Sequence, residues 1–130
     1  MLEHQHLIIR AEVSSSPKLQ DLKFIENWMT RLIEKIGMEI LIEPKAVYCD
    51  QKNNRGVTAI AALSTSSTTL HIWDEEAPYF LQFDLYSCKN FDIDHVLDSI
   101  DEFGMTHYEY YMLNRDMPFS HEHVVGDIKS

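Results

Sequence analysis

The chain has 130 residues, 11 Lys and Arg against 21 Asp and Glu, and a formal net charge of −10. That length suits one domain, and 45% hydrophobic with 25% charged residues excludes wholesale disorder. An acidic surface with no basic patch argues against nucleic acid as a partner, and no apolar run approaches the roughly 18 residues needed to span a membrane. The N-terminus lacks a basic stretch followed by an apolar one, and two cysteines, Cys49 and Cys88, make no disulfide framework. A reducing, cytoplasmic setting is expected.

In chain order, His4 to Val13 reads as a strand with Leu7, Ile9, Ala11 and Val13 on one face. Ser16 and Pro17 read as a helix start. Leu19, Leu22, Ile25, Trp28, Met29, Leu32, Ile33 and Ile36 then recur at helical spacing, and Gly37 suits the left-handed residue that closes such a helix. Short strands are expected near Glu39 to Ile42 and Ala46 to Cys49, followed by a polar loop from Asp50 to Gly56. Val57 to Leu63 is apolar on both faces, as a strand covered on two sides would be. Four hydroxyl residues, Ser64 to Ser67, break it. Thr68 to Trp73 and Tyr79 to Cys88 read as two more strands. Asp92 caps a second helix bearing Ile93, Val96, Leu97, Ile100 and Phe103, Gly104 ends it, and a last strand runs from Met105 to Leu113. This order predicts an α+β fold, a two-layer α/β sandwich whose mostly antiparallel sheet carries both helices on one face. One domain is expected over residues 1–113, with residues 114–130 as a loosely held tail.

The His4–His6 and His121–His123 pairs lack the third and fourth ligands and the spacing of a metal site, so no metal is expected. The acids from Asp92 to Glu102 read as the solvated face of the second helix, and Tyr108, Tyr110 and Tyr111 as packing residues. Glycine-rich nucleotide fingerprints, CxxC, GxSxG and HExxH are all missing. What stands out is a hydroxyl cluster at Ser64 to Ser67 followed by His71, Trp73 and Cys88. These types could supply a nucleophile, a base and an acid, although turn serines and a buried histidine are equally ordinary structure.

The stretch from Gly56 to Glu75, GVTAIAALSTSSTTLHIWDE, resembles the core motif of the prokaryotic S-adenosylmethionine decarboxylases. That family reads G-V/A-S/T-G, an apolar strand, then E-S-H-x-x-I-H-T-W-P-E. Phe83-Asp84-Leu85-Tyr86-Ser87-Cys88 is similar to its I/V-D-L/V-F/Y-T-C, and His6-Leu7-Ile8 to its first strand. The resemblance implies the family's α/β sandwich and a pyruvoyl cofactor made from the chain itself. In it Ser66 takes the place of the serine that attacks the Thr65 carbonyl and becomes the pyruvoyl group. His71 matches the histidine that assists elimination, Thr58 a hydroxyl residue that helps processing, and Cys88 the thiol that returns a proton after CO₂ leaves. A pyruvoyl ketone forms a Schiff base with the substrate amine and accepts the electrons of decarboxylation. The implied partners are S-adenosylmethionine, decarboxylated for spermidine synthesis, and a second copy of the chain, with the sites near the dimer interface. If Ser66, His71 and Cys88 form one site, their side chains should meet in a common cleft.

The chain departs from the pattern at several points. Thr65 and Ser67 replace the glutamate and histidine flanking the serine, Asp74 the proline, Lys89 a glycine, and Arg10 an acid of the first strand. Two other readings therefore stay open: an unprocessed, non-decarboxylating relative that binds S-adenosylmethionine or a protein, and a pyruvoyl decarboxylase of another amino acid.

Overall fold

In the computed structural model, which describes residues 4–18 and 21–116 and the backbone of 123–125, alternating apolar residues make β1 (Gln5–Val13) one-faced. Leu7, Ile9, Ala11 and Val13 are buried while Ile8, Arg10 and Glu12 are exposed. Helical spacing does the same for α1 (Leu22–Lys35), which buries Ile25, Trp28, Met29, Leu32 and Ile33. Gly37, at φ +75°, ends it, and the Met38 N–H bonds the Ile33 carbonyl at 3.1 Å. Five strands and a helix follow: β2 (Ile40–Cys49), β3 (Gly56–Leu63), β4 (Ser66–Trp73), β5 (Tyr79–Ser87), α2 (Ile93–Ile100) and β6 (Met105–Asn114). With β7 (His123–Val125) they form a seven-stranded sheet in the order β2-β3-β4-β5-β1-β6-β7, antiparallel at every pairing.

Both helices cover one face of this sheet. Trp28 of α1 sets its ring edge-on to Phe83 of β5 at 6.3 Å, lies 5.1 Å from Phe103, and donates its Nε1–H to the Ser99 carbonyl at the end of α2 at 2.8 Å. The expected two-layer α+β sandwich is what the chain forms. Its second face carries no layer among the described residues.

Four expectations change in detail. The first helix starts at Leu22, not Pro17, because the Ser14 and Ser15 N–H groups bond the Phe103 carbonyl and hold that segment away from helical geometry; Leu19 lies outside the described residues. The two short strands around Pro44 are one, β2, with register shifts between Ile40 and Lys45. An edge strand tolerates proline and bulges because one side of it has no ladder to lose. β3 is covered on one side only, so Ile60 is 53% exposed. A short β7 pairs with Tyr111 to Leu113 in a region expected to carry no strand.

Asp74, where the family pattern has proline, is a buried carboxylate. It accepts from Lys18 Nζ at 2.7 Å and from the Tyr48 hydroxyl at 2.8 Å. Burial first, and then the bond to Asp74, push the Tyr48 phenol from 10.0 up to about 12. A raised folded pKa means the folded state keeps a proton that the unfolded chain gives up. The associated stability is therefore complete below pH 10.0 and lost as pH rises towards about 12. Urea midpoints across that window should fall more steeply for the native chain than for Tyr48→Phe.

Candidate active site

The hydroxyl run resolves into a two-residue turn. Leu63 pairs with Ser66, leaving Ser64 and Thr65 to reverse the chain, while Ser66 and Ser67 belong to β4. Thr65 sits at φ +54°, a left-handed conformation that costs a β-branched residue about 1–3 kcal/mol. Its hydroxyl is engaged on both sides. Thr65 Oγ1 lies 2.7 Å from the Ser64 carbonyl oxygen and 2.8 Å from Cys88 Sγ. The β4–β5 register brings the cysteine there, because Ser67 pairs with Tyr86 and the chain just beyond β5 then passes the turn. The Cys88 N–H donates to Ser66 Oγ at 3.1 Å. Lys89 anchors the following link by donating from Nζ to the Gly37 carbonyl at the end of α1. The Thr65 hydroxyl, and after it that of Ser66, draw the Cys88 thiol below its ordinary value, against a smaller opposing effect of burial.

A second pair lies farther along the strands. Thr58 on β3 and His71 on β4 are register partners, with Thr58 Oγ1 2.8 Å from His71 Nδ1. Close approach of β3 and β4 beside them requires glycine at position 56, where a Cβ would come within 2.0 Å of the Ile72 carbonyl oxygen. The His71 ring neighbours Trp73 at 5.7 Å, and Trp73 stacks on Phe80 at 5.7 Å. His71 also lines a cavity of about 690 Å³ over the uncovered face, with His6, Ile8, Arg10, Asp84 and Tyr111. Arg10 forms an ion pair there with Glu109 of β6.

The structure thus brings Thr65, Ser66 and Cys88 together, and Thr58 with His71, but not the two groups with each other. Ser66 pairs with Leu63 whereas His71 pairs with Thr58 and Gln82. Five residues of extended strand separate them, about 17 Å at ~3.4 Å per residue. Alternation separates them as well, since the even positions Thr68, Leu70 and Ile72 are buried under the helices and the odd ones are not. The common cleft expected of Ser66, His71 and Cys88 is therefore absent within one chain. The odd spacing in the sequence already carried that signal.

Sequence reasoning did not single out the Ser64 carbonyl, named Asp84 only within the family motif, and named Lys89 only as a departure from it. Of the histidine pairs, His4 Nδ1 bonds the Tyr86 hydroxyl at 2.7 Å and His6 Nε2 lies 3.7 Å from Asp84 Oδ1. His121 lies outside the described residues, as does the side chain of His123. Among the described residues no three His, Cys, Asp or Glu side chains are grouped as metal ligands, and no helix is long and apolar enough to cross a membrane.

The model of the S-adenosylmethionine decarboxylase family matches residues 5–116, from β1 through the end of β6. No curated protein matches the chain. The chain belongs to the S-adenosylmethionine decarboxylase family.

Proposed function

We propose, with this family membership as the premise, that the chain cuts itself before Ser66 and decarboxylates S-adenosylmethionine to the aminopropyl donor of spermidine synthesis, as a homodimer with shared sites. The observation that carries this reading is the split between the two clusters. Ser66 and Cys88 in one copy would face Thr58 and His71 of the other, and a two-fold axis would make two such sites. The uncovered sheet face, where Ile8, Val47 and Ile60 are 45%, 56% and 53% exposed, suits that packing for Thr58 and His71. Ser66, which alternates to the helix side, would reach it at the sheet end beside the exposed turn.

The residues at the turn fit a self-derived pyruvoyl group. Ser66 follows a strained residue, its Oγ is held by the Cys88 N–H, and the scissile carbonyl belongs to Thr65. Once formed, that group would supply an electrophilic ketone able to act as an electron sink for decarboxylation. His71, oriented by Thr58, takes the proton whose loss drives elimination at Ser66. Cys88 holds a proton beside the reacting carbon.

Two observations favour other readings. Thr65 and Ser67 remove a carboxylate and an imidazole from the processing site, which favours an unprocessed relative that binds S-adenosylmethionine or a protein without turnover. The Arg10–Glu109 pair lining the cavity favours a pyruvoyl decarboxylase of an amino acid other than one carrying a sulfonium. Intact mass under denaturing conditions and light scattering decide among these. The proposed function predicts two fragments, the second beginning with pyruvoyl, a dimeric native mass, and CO₂ from S-adenosylmethionine. One full-length species supports the unprocessed relative, and cleaved protein inert on S-adenosylmethionine supports the changed substrate.

A further inference from the structure

We propose that the Ser64–Thr65 peptide bond is a second self-cleaving bond of this turn, with Thr65 as nucleophile and a 2-oxobutanoyl group as product. This rests on the reading that the turn processes itself, and extends it to a different bond and a different ketone. The Thr65 hydroxyl reaches the carbonyl that precedes it. Its Oγ1 is 2.7 Å from that carbonyl's oxygen. A proton acceptor is in contact, since Cys88 Sγ is 2.8 Å from Thr65 Oγ1 and itself 3.7 Å from the Ser64 oxygen. The left-handed backbone at Thr65, φ +54°, is relieved when the amide on its N-terminal side breaks. Thr65 is also exposed, so water reaches the products.

The chemistry balances with solvent water as the only co-reactant. Cys88 thiolate takes the Thr65 hydroxyl proton as Oγ1 bonds to the Ser64 carbonyl carbon. The bond from that carbon to the Thr65 nitrogen breaks, and the thiol returns the proton to the departing nitrogen, leaving an ester and a free amine. Loss of the Thr65 Cα proton to a base breaks the Cβ–Oγ1 bond and expels Ser64 as a carboxylate. The resulting enamine shifts to an imine, which water hydrolyses to the ketone and ammonia. The chain becomes a fragment ending at Ser64 and a second one starting with a 2-oxobutanoyl residue at position 65. That residue has one methylene more than pyruvoyl.

Intact-mass and terminal-peptide analysis of the purified full chain, native and as Ser66→Ala, tests this. The expected result is an N-terminal fragment ending at Ser64 in both, with a 2-oxobutanoyl fragment beside it. Thr65→Ser should give the same N-terminal fragment and a ketone one methylene lighter, and Cys88→Ala should slow its appearance at least tenfold. Fragments ending only at Thr65 overturn the inference while sustaining processing at Ser66. A folded chain that stays whole overturns both.

Discussion

Replacing His71 by Ala should slow the proposed cleavage of the Thr65–Ser66 bond by roughly 10²–10⁴-fold, the usual worth of a placed general base, while the chain remains folded. The fold has little stake in this side chain. His71 is on the uncovered face, its hydrogen bond is to Thr58 Oγ1 on the next strand, and its backbone neighbours Leu70 and Ile72 carry the burial. Thr58→Val should have a smaller effect in the same direction, because it removes the group that fixes the ring and leaves the ring itself. Rates of fragment appearance, followed by intact mass in chains of unchanged urea midpoint, check both.

On the proposed function, replacing Cys88 by Ala should have the opposite signature: cleavage before Ser66 should continue, and CO₂ release from S-adenosylmethionine should drop by about 10²–10⁴-fold with loss of the proposed proton donor. The Cys88 N–H that holds Ser66 Oγ is backbone and survives the change. Thr65 should shape the pH profile of that turnover. A carboxylate at position 65 would repel the thiolate, whereas the Thr65 hydroxyl donates to it and lowers the thiol from its ordinary value of 9.0. A donor with a lowered pKa loses its proton sooner, so turnover should decline as pH rises through the lowered value. Thr65→Glu should move that decline to higher pH.

The parts of the fold legible in the sequence are those where one signal dominated. Alternation in β1 and β5, helical spacing in α1 and the glycines after each helix each have a single structural solution. Glu39 to Ile42 and Ala46 to Cys49 read as two strands, because a sequence does not say that a strand is at the sheet edge, where Pro44 is tolerated. Ser66 and Ser67 looked like turn residues by composition, yet pairing of Leu63 with Ser66 leaves only two residues to turn. The start of α1 was overridden by bonds from Ser14 and Ser15 to Phe103, far off in the chain. Site residue types were legible through the family motif, but the motif is silent on distance. Ser66, His71 and Cys88 are close in sequence, and a straight strand keeps Ser66 and His71 apart.

Mixed dimers distinguish a site built from two copies from one built within a single chain. Ser66→Ala and His71→Ala chains, distinguishable by mass, are each purified alone and then co-expressed as a mixed pair. If each site is built from two copies, neither chain alone is cut at Thr65–Ser66, and in the mixed dimer the His71→Ala chain is cut there because its Ser66 meets the partner's intact histidine. If both chains stay uncut at that bond in the mixed dimer, the shared-site account is contradicted.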